Sequence, residues 1–213
     1  MNIVCVLKTG GDFTSDYVVK LRSACGRHIK EKFRFICLTD DITAKNLPRV
    51  ISTCLKHGYS GWWSKFEIFR LKGPTLYFDL DTVIIKNIDD MVYQVKELSP
   101  NEILGMSKFN PLRWSKEGRF TSGIIGWNGD FRFMFSEFDY IYALNCRYHG
   151  DADAMLELLN KHNAIIKYDM RGIYSYKRHC KIEIPEDAKV ICFHGSPRPH
   201  QATSIPLVRE NWI

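Results

Sequence analysis

The first eighty residues alternate short apolar runs with segments of helical period, and each run ends in polar residues. NIVCVL (Asn2–Leu7) is apolar and rich in β-branched residues, and it stops at the turn-forming KTGGD. SDYVVKLRSACGRH (Ser15–His28) then places Val18, Val19, Leu21 and Cys25 on a helical period, with Ser15 or Asp16 available as a cap. FRFICLTDD (Phe33–Asp41) reads as a second strand ending in Asp40 and Asp41. GWWSKFEIFRL (Gly61–Leu71) spaces Trp62, Trp63, Phe66 and Phe69 as a helix with an aromatic face, and TLYF (Thr75–Phe78) is a third strand. Strand, helix, strand, helix, strand predicts an α/β fold whose sheet is mostly parallel and flanked by helices. Further on, IDDMVYQV and DADAMLELLNKH read as helices, EILGMS and AKVICF as strands, and FTSGIIGWNG as a small-residue segment in an apolar stretch.

At 213 residues and 45% apolar content the chain is expected to form a single domain spanning residues 1–213. The net charge of +6 fits an anionic substrate such as a nucleotide or nucleic acid, although charge alone does not select one. Seven cysteines, with no C-x-x-C pair, argue for reduced thiols rather than a disulfide framework or a zinc site. Cys5, Cys37 and Cys192 lie in apolar runs, where a thiol acts as a small hydrophobe. MNIVCVLKTGG lacks the pattern of a secretory leader, and no stretch has the length of a membrane span. A soluble, cytoplasmic protein is expected.

In parallel sheets ligands bind in the crevice at the carboxyl ends of strands. Lys8 and Thr9 follow the first strand, Asp40 the second, Asp79 and Asp81 the third, and His194 the late one, so one shared site is expected there. Asp79 and Asp81 are two residues apart, and in extended chain both carboxylates project to one side. Such a pair is costly unless protonation or a cation relieves it, and hard oxygen ligands suit Mg²⁺ or Mn²⁺ bridging to substrate phosphates. A solvated turn with one aspartate capping a helix fits the same pattern. In FHGSPRPHQ (Phe193–Gln201), Gly195 permits close backbone approach, Arg198 can clamp phosphate oxygens and His194 can ligate a metal. Imidazole beside two carboxylates shifts the preference toward Mn²⁺.

Four further groups are candidates. Ser122 and Gly123 would let a polar ligand lie against the backbone. Asp151 and Asp153 suit either work on a substrate hydroxyl or the capping of a helix. Lys177 and Arg178 are phosphate contacts or a solvated basic turn, and Lys65, one turn from Trp62, reaches a phosphate or lies on the surface.

Taken in order, these segments resemble the metal-dependent glycosyltransferases of the GT-A fold. The group nearest in pattern is family-8-like and includes glycogenin, bacterial lipooligosaccharide galactosyltransferases and small bacterial or phage relatives. The resemblance runs from the first strand to about Gln201. It implies a GT-A, Rossmann-like mixed sheet, with Lys8, Thr9 and Asp40 at the nucleotide base and Lys65 matching a lysine or arginine on the helix before the D-x-D strand. FDLDTVI carries the D-x-D motif, so Asp79 and Asp81 would hold the metal against the diphosphate of a UDP-sugar. TSG (Thr121–Gly123) resembles N-S-G, which faces the donor sugar, and DAD (Asp151–Asp153) resembles D-Q-D, with Ala152 in place of glutamine.

CFHGSPRPH resembles H-x-x-G-x-x-K-P-W: Gly195 and Pro199 align, Arg198 stands for the lysine, and His200 replaces the tryptophan. The histidine three before the glycine is Cys192 here, which makes His194 the candidate third metal ligand. The implied activity is hexosyl or pentosyl transfer with retention of configuration, Mn²⁺ or Mg²⁺ as cofactor, and Lys177 as a further donor contact. An inverting enzyme would instead use Asp151 or Asp153 as base. The acceptor would be a glycan or a modified base in DNA.

Two other classes fit parts of the chain. DLDTV matches the loop of haloacid-dehalogenase-like phosphatases, with Asp79 as nucleophile and Asp81 as acid and base, but that loop belongs on a first strand and leaves FHGSPRPH without a role. Thirty Lys and Arg with thirteen Phe and ten Tyr would suit a non-catalytic nucleic-acid-binding domain, although the basic residues are dispersed.

Overall fold

Alternation along the first strand, β1 (Asn2–Leu7), divides the core in two. Ile3, Cys5 and Leu7 pack on one face of the sheet and Val4 on the other. The computed structural model describes residues 1–110, 119–145 and 148–213. The other strands are β2 (Arg34–Thr39), β3 (Ile51–Cys54), β4 (Thr75–Phe78), β5 (Thr82–Ile84), β6 (Glu102–Ser107), β7 (Phe120–Trp127), β8 (Ile165–Lys167), β9 (Ile173–Ser175) and β10 (Val190–Cys192). The α-helices are α1 (Ser15–His28), α2 (Asp89–Lys96), α3 (Phe133–Ser136), α4 (Tyr140–Asn145), α5 (Asp151–Lys161), α6 (Tyr176–His179) and α7 (Pro206–Asn211).

Seven strands form one sheet in the order β3-β2-β1-β4-β7-β6-β8. Only β7 runs against the rest, so the expectation of a mostly parallel α/β sheet holds. The chain leaves β1 first toward β2 and later toward β4 on the opposite side, so a topological switch point lies at the carboxyl ends of β1 and β4. Helices α1 and α2 cover one face, with Leu21, Cys25, Met91 and Val95 buried, and Met134 of α3 and Met155 of α5 belong to the core on the other. Cys5, Cys37 and Cys192 are buried, whereas Cys54 on the edge strand β3 is exposed. No helix among the described residues is long and apolar enough to cross a membrane.

A second sheet, β5-β10-β9, is built from three-residue strands too short to show a period in the sequence. Its consequence is positional. Strand β5 follows Asp81 directly and pairs antiparallel with β10, and the Phe193 amide donates to the Asp81 carbonyl at 2.9 Å. The loop 193–201 is thereby set beside the two aspartates.

Gly61–Arg70, expected as an α-helix, winds as a 3₁₀ helix. Every residue from Trp63 to Phe69 is buried, Ser64, Lys65 and Glu67 included, so no single solvent face imposes the 3.6-residue period. Each buried polar group has a partner. Ser64 donates to the Gly61 carbonyl at 2.8 Å, and Glu67 accepts the backbone amides of Lys56 at 2.8 Å and His57 at 2.6 Å while pairing with Arg70. Glu67→Ala would strand those donors, and a loss of roughly 3–5 kcal/mol in urea denaturation is expected. A loss under about 1 kcal/mol would show that water replaces the carboxylate without cost.

Candidate active site

The parallel register of β1 and β2 sets Leu7 against Thr39 and so brings the residues that follow them together. The Thr9 amide donates to Asp40 Oδ1 at 2.8 Å, its hydroxyl to Oδ2 at 3.0 Å, and the Lys8 ammonium pairs with the same carboxylate. Burial opposes the charged carboxylate, but these donors hold Asp40 below its ordinary range. Lys8 and Thr9 line a cavity of about 950 Å³ at the carboxyl end of the sheet, while Asp40 stands behind them and latches the loop.

Asp79 and Asp81 both face that cavity. Asp79 is fixed by its amide, which donates to the Gly123 carbonyl at 2.8 Å, and by the Tyr77 hydroxyl, which donates to Oδ1. Lys65 reaches it as well, with Nζ 3.0 Å from Oδ1, and stands 2.8 Å from Asp151 Oδ2. Ser122 closes the group: its hydroxyl donates to Asp151 at 2.7 Å and accepts from Lys65 at 3.2 Å. Burial alone would lower the pKa of the Lys65 ammonium, yet Asp151 and Asp79 outweigh it and raise it. Burial and the Asp79 charge together push the Asp81 carboxyl up to about 7, against the opposing pull of Arg198 and Lys65. Arg198 pairs with Asp81 and lies 3.4 Å from Asp12.

Asp151 is thus in the site, but Asp153 is not. Its carboxylate accepts the His149 amide at 2.9 Å, outside the cavity. The pair opens helix α5, where residues two apart point about 200° from each other. The spacing that aligns Asp79 with Asp81 on extended chain therefore separates Asp151 from Asp153 on a helix.

His194 lines the cavity without joining the carboxylates. Its Nε2 lies 2.6 Å from the Ser175 hydroxyl, and its ring stacks on Phe109 at 5.5 Å. Burial lowers its pKa first, then the charges of Lys177, Arg178, Arg198 and His179. Gly195 follows with φ of +72°, a turn that favours glycine, and Lys177 Nζ lies close by, 2.8 Å from where a Cβ would stand. Among the described residues no three His, Cys, Asp or Glu side chains gather as a metal cluster. Two mutually repelling carboxylates, Asp81 buried and Asp79 partly open to the cavity, nonetheless fit a Mg²⁺ or Mn²⁺ ion that completes its shell with phosphate oxygens and water.

The sequence reading missed Tyr77, although it lies on β4 two residues before Asp79, which follows that strand directly, and extended chain puts residues two apart on one side. Phe109 carried no local signal. Trp62 is 58% exposed in the cavity wall, unlike its buried neighbour Trp63.

No family model matches the chain, and no curated protein sequence does. Solved structures do. A galactosyltransferase, LgtC, in complex with donor and acceptor sugar analogs, superposes with a TM-score of 0.67 at 12% identity, over 98% of this chain and 93% of that one. GlyE of Streptococcus pneumoniae TIGR4 matches with 0.60 at 14% identity, over 93% and 56%. Mouse xyloside xylosyltransferase 1 matches with 0.59 at 12% identity, over 91% and 98%. Neither the phosphatase nor the non-catalytic reading is favoured by these neighbours. At such identities the likeness is one of fold, and this chain has the fold of the GT-A glycosyltransferases, resembling LgtC.

Proposed function

We propose that the chain is a glycosyltransferase that moves a sugar from a nucleotide-diphosphate donor, of the UDP-sugar class, to an acceptor hydroxyl. The observation that carries this reading is the convergence of the β1 loop, the Asp79–Asp81 pair, the Lys65–Asp151–Ser122 group and Arg198 on one cavity at the switch point of this fold. Lys8 and Thr9, held by Asp40, would receive the nucleotide. A divalent cation, Mn²⁺ or Mg²⁺, held by Asp79 and Asp81, would supply charge neutralisation at the departing diphosphate. Arg198 and the backbone at Gly195 would meet the same phosphates from the other side.

In the transfer, the bond between the anomeric carbon and the diphosphate oxygen breaks, a bond to the acceptor oxygen forms, and the hydroxyl proton would pass to the departing diphosphate oxygen. Asp151, paired to Lys65 and bonded by Ser122, is placed to face positive charge developing on the sugar rather than to carry that proton away. This supports retention. Ser122 and Gly123 would lie along the donor sugar.

Calorimetric titration of UDP and other nucleoside diphosphates, with Mn²⁺ and after metal removal by a chelator, tests the reading. Binding is expected to require both partners and to weaken at least about tenfold without metal, which is 1.4 kcal/mol. Failure of every nucleoside diphosphate to bind with either metal would overturn it.

A further inference from the structure

Two cations stand among the carboxylates of the site, and they are held in different ways. Lys65 is buried, with Asp79, Asp151 and Ser122 around its ammonium. Arg198 is only partly buried, and one arm of its guanidinium pairs with Asp81. Its Nε lies 3.4 Å from the carboxylate of Asp12, an exposed residue of the loop after β1. Its guanidinium carbon stands 4.8 Å from the centre of the Phe13 ring in the same loop. The backbone is fixed separately, because the Arg198 amide donates to Gln201 Oε1 at 2.8 Å. Release of Asp81 therefore needs only rotation of the side chain, toward the cavity that Asp12, Phe13, Asp81 and Arg198 all line.

Asp81 is thus claimed twice, since the ion proposed for Asp79 and Asp81 competes with Arg198 for one carboxylate. A dication and a guanidinium at the same carboxylate also repel each other, more strongly in a partly buried setting than in water. A free ion must therefore displace Arg198 and leave it without its main partner. A diphosphate removes that cost, because its oxygens accept the same N–H groups in the fork geometry that a carboxylate offers. Charge leads to the same result. A divalent ion and the diphosphate of a nucleotide-sugar carry equal and opposite charge, so entry of both leaves the balance among these groups unchanged.

We propose that Arg198 determines the specificity of the metal site: it keeps the free divalent ion off Asp81 and admits the ion as its complex with a diphosphate. The inference rests on the metal reading of Asp79 and Asp81, and it gives Arg198 a task beyond contact with phosphate. Coupling between ion and nucleotide would follow in any case from direct contact of the two. What belongs to Arg198 alone is a low affinity for the ion without nucleotide.

The test is a titration of the full chain with Mn²⁺, followed by the electron paramagnetic resonance of the free ion. It is run at pH 8, where protons compete less with the ion for Asp81 than at neutral pH. Arg198→Gln keeps the stem over Phe13 and removes the charge, so it is expected to bind Mn²⁺ without nucleotide about tenfold more tightly than wild type. Saturating UDP should tighten Mn²⁺ about a hundredfold in wild type and about tenfold or less in the variant. Uridine, which lacks the diphosphate, should tighten it in neither. Adding Asp81→Asn to Arg198→Gln should abolish the gain. A folded Arg198→Gln that binds Mn²⁺ alone no more tightly than wild type would overturn the proposal, and the metal reading would stand if UDP still tightens Mn²⁺ in wild type. A gain that survives Asp81→Asn would overturn it too, because the ion would then lie elsewhere. Mn²⁺ that binds neither protein, with or without UDP, would discard the proposal and the metal reading together. A gain in Arg198→Gln without any binding of UDP would keep the role of Arg198 at Asp81 and discard the nucleotide. Should Arg198→Gln fail to fold, Arg198→Leu gives the same comparison.

Discussion

Asp81→Asn is expected to reduce the Mn²⁺-dependent affinity for UDP at least about a hundredfold, to the level seen with metal removed, a change of about 2.7 kcal/mol. The substitution keeps the shape of the side chain and removes one of two neighbouring charges. With only Asp79 left, the pair that attracts a divalent cation is gone, and a hard ion has one anionic protein oxygen donor in place of two. The fold should not suffer. Asp81 is 7% exposed and crowded by Asp79, so a neutral amide relieves repulsion there, while Arg198 keeps Asp12 at 3.4 Å. A melting temperature within about 3 °C of wild type is therefore expected alongside the lost affinity. Unchanged UDP affinity with Mn²⁺ in the folded variant would sink the metal assignment. Glycosyl transfer measured in parallel should fall by the same factor or more, because in the proposed reaction the cation would act at the departing diphosphate as well as in binding.

What the sequence disclosed and what it hid follow from period and distance. β1, β2 and β4 were legible because each is a continuous apolar run buried on both faces, and α1 and α5 because their apolar residues recur at helical spacing. The position of a site at the strand ends came from the alternation of these elements. Asp79 and Asp81 were legible for the same reason that Asp153 misled. A spacing of two means a shared side on extended chain and opposite sides on a helix, and the D-A-D segment turned out to be the first turn of α5. Asp40 was expected at the strand ends with Lys8 and Thr9, but its direct bonds to both were not legible, since they depend on the register of β1 with β2. His194 is the clearest case of hidden information. Its partners Ser175 and Phe109 lie on β9 and after β6, and a three-residue strand leaves no trace in a periodic reading. The Lys65 network was hidden by length of reach, because a lysine fully enclosed with two carboxylates looks in sequence like any surface lysine on an amphipathic helix.

That network supplies the other large effect. Lys65→Met keeps the length and the apolar stem of the side chain but deletes the charge that Asp79 and Asp151 share. Lys65 is 6% exposed and Asp151 8%, so one carboxylate is left deep in the protein with only the Ser122 hydroxyl as a donor. Removal of one member of a buried ion pair typically costs about 3–5 kcal/mol. Asp79 opens partly onto the cavity, where water can solvate it, which puts the expected loss near the lower bound of that range. For a chain of this size such a loss lowers the melting temperature by roughly 6–12 °C. Lys65→Arg should recover most of it, because the charge returns even though a planar fork cannot reproduce a compact ammonium held among oxygens of Asp79, Asp151 and Ser122. The pair of variants separates stability from chemistry. If the network also orients Asp151 toward the sugar, Lys65→Arg will regain its melting temperature but remain at least about tenfold low in kcat. Full recovery of both would mean that Lys65 contributes charge alone, and a melting temperature within about 2 °C of wild type in Lys65→Met would show that the two carboxylates need no shared cation.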